Sequence, residues 1–209
     1  MKLIFLGPPG AGKGTHAGGV ARRFNIPHIS TGDMFRAAMK NETPVGLRAK
    51  AFIDKGQLVP DSVTIDMVDE RLHQDDCRGG YLLDGFPRTI SQAEALDKIE
   101  APDCVINLDV PLEELMDRLT SRRVCPDCKG TFSIKFLDDH KTCPDCQGNL
   151  IHRIDDQPET IKGRIDVYLN DTQPLIDYYD QQGKLITVQS VGDMALIGEN
   201  IAKALEAKV

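Results

Sequence analysis

Residues 7–15 read GPPGAGKGT and follow directly on the apolar run Lys2–Leu6. The stretch fits the pattern G-x-x-x-x-G-K, in which glycines let successive backbone N–H groups turn toward one phosphate. The lysine and the N-terminus of the following helix add positive charge. Because the motif lies between a strand-like run and a helix-like segment, it predicts a nucleotide-binding phosphate loop. Gly14 replaces the hydroxyl residue that usually follows the lysine, and Thr15 comes one place later, so Mg²⁺ lacks its usual hydroxyl ligand.

Strand-like runs alternate with helix-like segments through the rest of the chain. This alternation predicts an α/β fold with a central parallel sheet flanked by helices. One of the helices begins at Pro111, and Leu112, Leu115, Met116 and Leu119 repeat at helical spacing, which assigns them to the core. The predicted strand runs are Lys2–Leu6, Pro27–Ile29, Tyr81–Leu83, Cys104–Val110 and Lys184–Val188.

Two stretches interrupt the alternation and are interpreted as insertions in one scaffold. Residues 30–59 are helical without a strand, and residues 122–157 contain four of the cysteines. The core domain is therefore expected to comprise residues 1–29, 60–121 and 158–209.

Composition excludes several classes of protein. Of the 209 residues 41% are hydrophobic and 27% are charged, with a formal net charge of −7. An acidic chain is not attracted as a whole to nucleic acid or anionic membranes, so neither is expected as a partner, and an anionic ligand requires locally gathered cations. No run approaches the roughly 18 apolar residues of a spanning helix, and no signal-peptide cleavage site follows MKLIFLGPPG, so the prediction is a cytoplasmic protein.

A second motif, YLLDGFPRT at residues 81–89, carries an apolar run into Asp84 at the expected carboxyl end of a strand. A carboxylate there, beside a phosphate loop, suits Mg²⁺ or its waters. Gly85 permits close backbone approach, and Arg88 offers a bidentate fork to phosphate. The two motifs together predict one nucleotide site.

Two CPDC knuckles, at residues 125–128 and 143–146, match a four-thiolate zinc site. The predicted ligands are Cys125, Cys128, Cys143 and Cys146, and His140 is a rival ligand close by in the sequence. Disulfides are the alternative, which a reducing cytosol disfavours, and a redox C-x-x-C would need a thioredoxin-like context that is absent. A segment this short cannot bury a core, so the zinc is predicted to be structural.

Zinc ribbons often bind nucleic acid, which raises a non-enzymatic alternative. Residues 125–146 contain three lysines, no arginine and four aspartates. This composition does not provide the basic surface that nucleic-acid binding requires. The charge disfavours that function.

Five segments resemble, in order and spacing over nearly the whole chain, the signatures of the adenylate kinase family. They are GPPGAGKGT at 7–15, STGDMFRAA at 30–38, LLDGFPRT at 82–89, RLTSRR at 118–123 and DDQPETIKGRIDVY at 155–168. The resemblance implies a monomeric P-loop kinase with a monophosphate-binding insert at 30–59 and a lid at 122–157, similar to the bacterial zinc-containing form. It also implies Mg²⁺-dependent, reversible, in-line phosphoryl transfer from ATP to AMP, giving two ADP without a covalent intermediate, with lid closure excluding water.

The resemblance further implies a role for individual residues. On the ATP side these are Gly10, Ala11, Gly12, Lys13, Gly14, Thr15, Arg118, Arg122, Thr131, Phe132 and Gly192. On the AMP side they are Thr31, Arg36, Gln57, Leu58, Val59, Gly85, Phe86, Pro87, Arg88, Gln92, Arg153 and Arg164. The implied catalytic set is Lys13, Asp84, Arg88, Arg122, Arg153 and Arg164, with Asp84 and Asp33 holding Mg²⁺ through water. A kinase for CMP, UMP or GMP remains the nearer alternative, because motif spacing does not identify a base and Thr31 and Gln92 favour adenine by resemblance only.

Overall fold

A five-stranded sheet forms the centre of the computed structural model, which describes residues 1–137, 139 and 141–208. The predicted strands are confirmed, with ends displaced by at most one residue. A separate two-stranded antiparallel hairpin lies within residues 122–157. The sheet strands are β1 (Lys2–Leu6), β2 (His28–Ser30), β3 (Tyr81–Asp84), β4 (Cys104–Asp109) and β7 (Leu185–Gln189), and the hairpin strands are β5 (Arg122–Val124) and β6 (Thr131–Ser133).

The strand order in the central sheet is β2–β3–β1–β4–β7, and every neighbouring pair is parallel. Parallel sheets are covered on both faces, so their strands are apolar throughout. Strand β1 illustrates this, because Leu3 and Phe5 belong to one apolar cluster and Ile4 belongs to the cluster on the opposite face. The predicted α/β architecture is confirmed.

The helices begin where the sequence supplies capping groups. Ser30, Thr43, Thr89 and Asp193 each accept a hydrogen bond from a backbone N–H three residues later. A π-helical turn, Tyr168–Thr172, joins the seventh and eighth helices. The α-helices are α1 (Lys13–Phe24), α2 (Thr31–Lys40), α3 (Pro44–Ile53), α4 (Asp61–Leu72), α5 (Ile90–Glu100), α6 (Leu112–Thr120), α7 (Pro158–Val167), α8 (Pro174–Gln181) and α9 (Met194–Glu206).

Helix α6 corrects one expectation. Leu115 and Leu119 are fully buried as predicted, whereas Leu112 is 46% exposed. Leu112 is the first residue of the helix, one turn ahead of the buried stripe, so the apolar period begins later than the sequence indicated.

The two predicted inserts differ in content. Helices α2 and α3 follow strand β2 and surround a small apolar cluster of Phe35, Ala49 and Val59. The cysteine-rich segment instead contains the β5–β6 hairpin, and Val124 in β5 also pairs with Ile151. Within the described part of the chain, no helix combines the length and apolarity needed to span a membrane.

Candidate active site

The phosphate loop connects the carboxyl end of β1 to α1. Gly12 precedes α1 with φ 90°, a left-handed conformation that favours glycine. The Lys13 ammonium folds back over the loop and donates to the carbonyl oxygens of Gly7 at 2.6 Å and Pro8 at 2.9 Å. Burial lowers the pKa of Lys13 to about 8, although the charge of Asp84 opposes this shift. The lysine is thus a desolvated cation beside the loop.

Asp84 ends strand β3 directly beside strand β1, where it pairs in register with Phe5. Burial alone would raise the pKa of Asp84, but the adjacent His28 and the charge of Lys13 outweigh this effect and hold the pKa below its ordinary value. The site therefore contains an ionised carboxylate next to the phosphate loop, as the second motif predicted.

Sequence reasoning assigned no role to His28, which lies in β2 next to this carboxylate. His28 Nε2 is 3.5 Å from Asp84 Oδ2, and it is buried without a hydrogen-bond partner among the described residues. His28 pairs in register with Leu82, two residues before Asp84, so the proximity depends on the pairing of β2 with β3, which the sequence alone does not show.

A cleft of about 1240 Å³ runs from the phosphate loop to both inserts. Gly85 bends its wall with φ 82°, where a Cβ atom would come within 2.8 Å of Arg88 Nη2. Phe86 is not among the lining residues, because its side chain is fully buried in the core with Ile4 and Leu83. The residues from the implied ATP, AMP and magnesium sets that line the cleft are Gly10, Ala11, Gly12, Lys13, Gly14, Thr15, Thr31, Asp33, Arg36, Gln57, Leu58, Val59, Asp84, Gly85, Pro87, Arg88, Gln92, Arg118, Arg122, Thr131, Phe132, Arg153, Arg164 and Gly192.

Two aspartates that sequence reasoning missed orient the arginines of this cleft. The Arg122 guanidinium makes a bidentate pair with Asp156, with contacts of 2.8 and 2.6 Å. Arg164 Nη1 donates to the same carboxylate at 2.8 Å and lies 3.1 Å from Asp155 Oδ2. Asp156 is fully buried. A buried carboxylate needs compensating positive charge, and these two arginines supply it. The only signal in the sequence was the DD pair next to a predicted arginine.

The remaining arginines of the cleft lie close enough to other arginines to repel them. Burial, with repulsion from Arg122 and Arg36, lowers the pKa of Arg153 to about 9, and its Nε is buried without a hydrogen-bond partner in the described structure. Burial and the charge of Arg164 lower the pKa of Arg88. Mutually repelling, partly desolvated cations are suited to polyanions, and they are the local concentration of charge that an acidic chain needs for an anionic ligand.

Comparison with known proteins identifies the family. A sequence model of the family described as adenylate kinase matches residues 5–184. The chain belongs to the adenylate kinase family. It is 51% identical to adenylate kinase of Clostridium perfringens (strain SM101 / Type A) over 98% of each chain. It is 52% identical to that of Carboxydothermus hydrogenoformans over 99% of this chain and all of the relative, and 48% identical to that of Clostridium kluyveri (strain ATCC 8527) over 99% of each. As a member of the adenylate kinase family it is a phosphotransferase of the nucleoside-monophosphate kinase class.

Further polar contacts shape the two ends of this kinase cleft. Arg118 donates to Glu114 at 2.6 Å and to the carbonyl oxygen of Ser190 at 2.9 Å. At the other end, Thr31 Oγ1 donates to the Gly85 carbonyl oxygen at 2.8 Å. Arg36 pairs with Asp33 at 2.7 Å and Asp33 is half-exposed, so this carboxylate is already engaged by an arginine.

The four knuckle cysteines lie together, with all their sulfurs within 4.8 Å of one another. The Cys125–Cys146 and Cys128–Cys143 Sγ distances are 3.5 and 3.6 Å. A tetrahedron with zinc–sulfur bonds of about 2.3 Å has sulfur–sulfur edges of roughly 3.8 Å, so this donor set fits zinc. His140 lies outside the described residues.

The two knuckles share one backbone conformation. Lys129 and Gln147, each four residues after the first cysteine of its knuckle, have φ values of 64° and 63°. Their backbone N–H groups donate to the carbonyl oxygens of Cys125 and Cys143. Backbone N–H groups of Cys128 and Asp127 lower the pKa of the Cys125 thiol to about 7, which favours its thiolate. At Cys128 the backbone N–H of Gly130 is outweighed by burial and the neighbouring sulfurs, which raise the pKa to about 12, so one thiolate of the cluster forms first. Cys77 and Cys104 are buried thiols elsewhere, as predicted.

Proposed function

We propose that the protein catalyses reversible transfer of the γ-phosphoryl group of MgATP to AMP, giving two ADP. The observation that carries the proposal is the convergence of Lys13, Arg88, Arg122, Arg153 and Arg164 on one cleft. Phosphoryl transfer needs little covalent chemistry from a protein, only two phosphates held in line and cations on the charge that develops between them.

The donor nucleotide is proposed to lie on the phosphate loop. Backbone N–H groups of residues 10–15 and the Lys13 ammonium would bind its phosphates. Arg118 and Arg122 line the same cleft and would contact the nucleotide, and Thr131 and Phe132 of the β6 strand would cover it. The Gly192 carbonyl oxygen would meet the adenine.

The acceptor is proposed to lie between the 30–59 insert and the Gly85–Arg88 turn. Arg36 and Arg88 would bind its phosphate, and Thr31, residues 57–59 and Gln92 would enclose its nucleoside. An oxygen of this phosphate then attacks the γ-phosphorus while the bond to the β–γ bridging oxygen breaks. Arg88, Arg153 and Arg164 would stabilise the negative charge on the moving group. The reverse reaction uses the same contacts.

Mg²⁺ would lie near Asp84, held through its water shell. A Cβ atom on Gly14 would come 3.6 Å from Asp84 Oδ2, so this carboxylate stands where a hydroxyl side chain usually ligates the ion. The ion neutralises charge on the β- and γ-phosphates when it is bound. Asp33 was the second candidate, and its pairing with Arg36 makes Asp84 the stronger one.

Zinc is proposed as a structural ion on the four knuckle cysteines. Residues 122–157 would act as a lid and residues 30–59 as a monophosphate-binding insert, with residues 1–29, 60–121 and 158–209 as the core. Closure of both over the substrates would exclude water and so prevent hydrolysis of ATP. A bisubstrate mimic that joins two adenosines should then protect both segments from proteolysis.

A cytoplasmic, monomeric enzyme fits these assignments. Cys77 and Cys104 are free thiols and a thiolate metal site survives best in a reducing compartment. Nucleic acid and membranes are not expected as partners.

An assay of ADP formation from MgATP with AMP, CMP, UMP and GMP tests the proposal. AMP should be the preferred acceptor, and Lys13→Met should abolish transfer while leaving the protein folded. Preference for another monophosphate would overturn the AMP assignment, and absence of transfer to all four would overturn the kinase proposal.

A further inference from the structure

Gln92 is held by two groups of opposite hydrogen-bonding character. Its Nε2 donates to Asp61 Oδ1 at 2.6 Å, and its Oε1 accepts from the Arg88 backbone N–H at 2.7 Å. The residue is 2% exposed and lines the cleft, whereas Asp61 lies behind it at the start of α4. Among the described residues, Asp61 does not line the cleft itself but contacts Gln92, which does.

These two contacts fix the orientation of the Gln92 amide. A carboxylate can only accept hydrogen bonds and a backbone N–H can only donate them. Rotation of the amide by 180° would put its oxygen against Asp61 and its NH₂ group against the Arg88 N–H, so both contacts would become repulsive. The observed orientation leaves one N–H and one oxygen lone pair of Gln92 for a ligand.

The orientation of such an amide distinguishes two classes of purine. Adenine presents the N6 amino donor beside a ring nitrogen acceptor, which a glutamine amide matches with its oxygen and its NH₂ group respectively. Hypoxanthine and guanine have an oxygen at C6 and a protonated N1, so they require the amide to be reversed. A site that fixes the amide rejects the wrong base, because a buried donor or acceptor would be left unpaired.

We propose that Asp61 is a specificity-determining positioning residue, which selects 6-aminopurine over 6-oxopurine monophosphates by fixing the Gln92 amide. The inference rests on the proposed function, in which Gln92 contacts the base of the acceptor. Thr89 completes the arrangement, since its Oγ1 donates to the other Asp61 oxygen at 2.8 Å and accepts from the Gln92 backbone N–H at 3.1 Å. Both Asp61 oxygens are thus occupied, and the carboxylate is held in place.

The test compares kcat and KM for AMP and for IMP, which differs at C6, in the full-length wild type and in Asp61→Asn. An amide at position 61 keeps the shape of the side chain but can either donate or accept, so only the Arg88 backbone N–H still favours the observed orientation of Gln92. The ratio of kcat/KM for AMP to that for IMP should fall by about tenfold or more. The change should lie mainly in the two KM values, with kcat at saturating AMP nearly unchanged.

Two further variants isolate the effect. Thr89→Val removes the other hydrogen bond to Asp61 together with the α5 cap, so it should lower stability. Because Asp61 can still accept from Gln92 Nε2, the AMP-to-IMP ratio should fall less than in Asp61→Asn. Asp61→Ser, whose hydroxyl also both donates and accepts, should shift the ratio in the same direction and replaces Asp61→Asn if that variant fails to fold.

An equal loss of kcat/KM for both substrates in the Asp61 variants would show a merely structural carboxylate and overturn the inference. Gln92→Leu separates this failure from that of the proposed function. If Gln92→Leu raises the KM for AMP and the Asp61 variants leave the ratio unchanged, the inference alone fails. If Gln92→Leu leaves the KM for AMP unchanged, both the inference and the proposed contact of Gln92 with the base are wrong.

Discussion

The two segments that border the cleft, residues 30–59 and 122–157, are stabilised in different ways. The first consists of α2 and α3, whose shared interior is Phe35, Ala49 and Val59. In the second, the described residues contain a short hairpin, an 85% exposed Phe136 and four clustered cysteines. Apolar burial therefore holds one segment and a candidate metal site holds the other, so different perturbations should affect each one.

The largest expected effect leaves both segments intact. Arg88 lies between them in the core, so Arg88→Ala should lower turnover by about 10²-fold or more while the melting temperature changes little. Steady-state kinetics and thermal melting measure the two quantities. Arg78→Ala, at a guanidinium whose side chain is 82% exposed, is the matched control and should leave both unchanged. Near-normal turnover in a folded Arg88 variant would contradict the assigned role.

Loss of the metal site should affect only the cysteine-rich segment. Cys143→Ser should reduce the zinc content well below one equivalent per chain, lower the melting temperature, and weaken ATP binding more than the transfer step. The zinc content, the melting temperature and the steady-state kinetic constants are measured on the same preparations.

Cys104→Ser is the control for this prediction, because it makes the same change at a buried thiol in the core. It should retain the zinc. A full equivalent of zinc in Cys143→Ser would mean that the ligands are wrongly assigned, and loss of zinc with unchanged melting would mean that the ion is not structural.

The complementary change is in the apolar cluster of the other segment. Phe35 is 5% exposed, and Phe35→Ala should destabilise α2 and α3 by about 3–5 kcal/mol through lost burial and a cavity. The KM for AMP should rise more than the KM for ATP, and the zinc content should not change. Leu47→Ala, at a 58% exposed position on α3, should have little effect. Equal increases in both KM values would show that the two segments are not independent.

The smallest expected effect concerns pH. The pKa of Lys13 in the free protein is about 8, and triphosphate beside the ammonium should raise it. Above pH 8, binding of MgATP is then coupled to uptake of a proton by Lys13. The affinity for MgATP should therefore fall by up to about tenfold per pH unit above pH 8 and should be nearly constant below pH 8. Calorimetry in buffers of different ionisation enthalpy measures this uptake. Lys13→Arg keeps its charge and should lose this dependence, whereas a wild-type affinity that does not change between pH 7.5 and 9.5 would contradict the prediction.

Local patterns in the sequence predicted the sheet, the phosphate loop and the cysteine cluster, because each depends on residues that are adjacent or closely spaced. Contacts between distant parts of the chain were not predictable. Asp156 beneath Arg122, His28 beside Asp84 and Asp61 behind Gln92 depend on how separate elements pack. Packing also explains why two side chains lie elsewhere than the sequence indicated. Phe86, expected near AMP, is directed into the core, and Leu112, expected in the core, precedes the buried stripe of α6.

The pairing of Arg122 with Asp156 has a consequence for how the enzyme can change over evolution or by design. Arg122 begins the 122–157 segment and Asp156 lies one residue before its end. Between them along the chain, Val124 and Ile151 exchange two backbone hydrogen bonds. The chain therefore leaves the core and returns to it at neighbouring points. A segment attached in this way can be exchanged for a longer or shorter one without re-pairing the central strands. We expect the cysteine-rich segment to be exchangeable as one unit, provided that a graft keeps Arg122, Arg153 and Asp156.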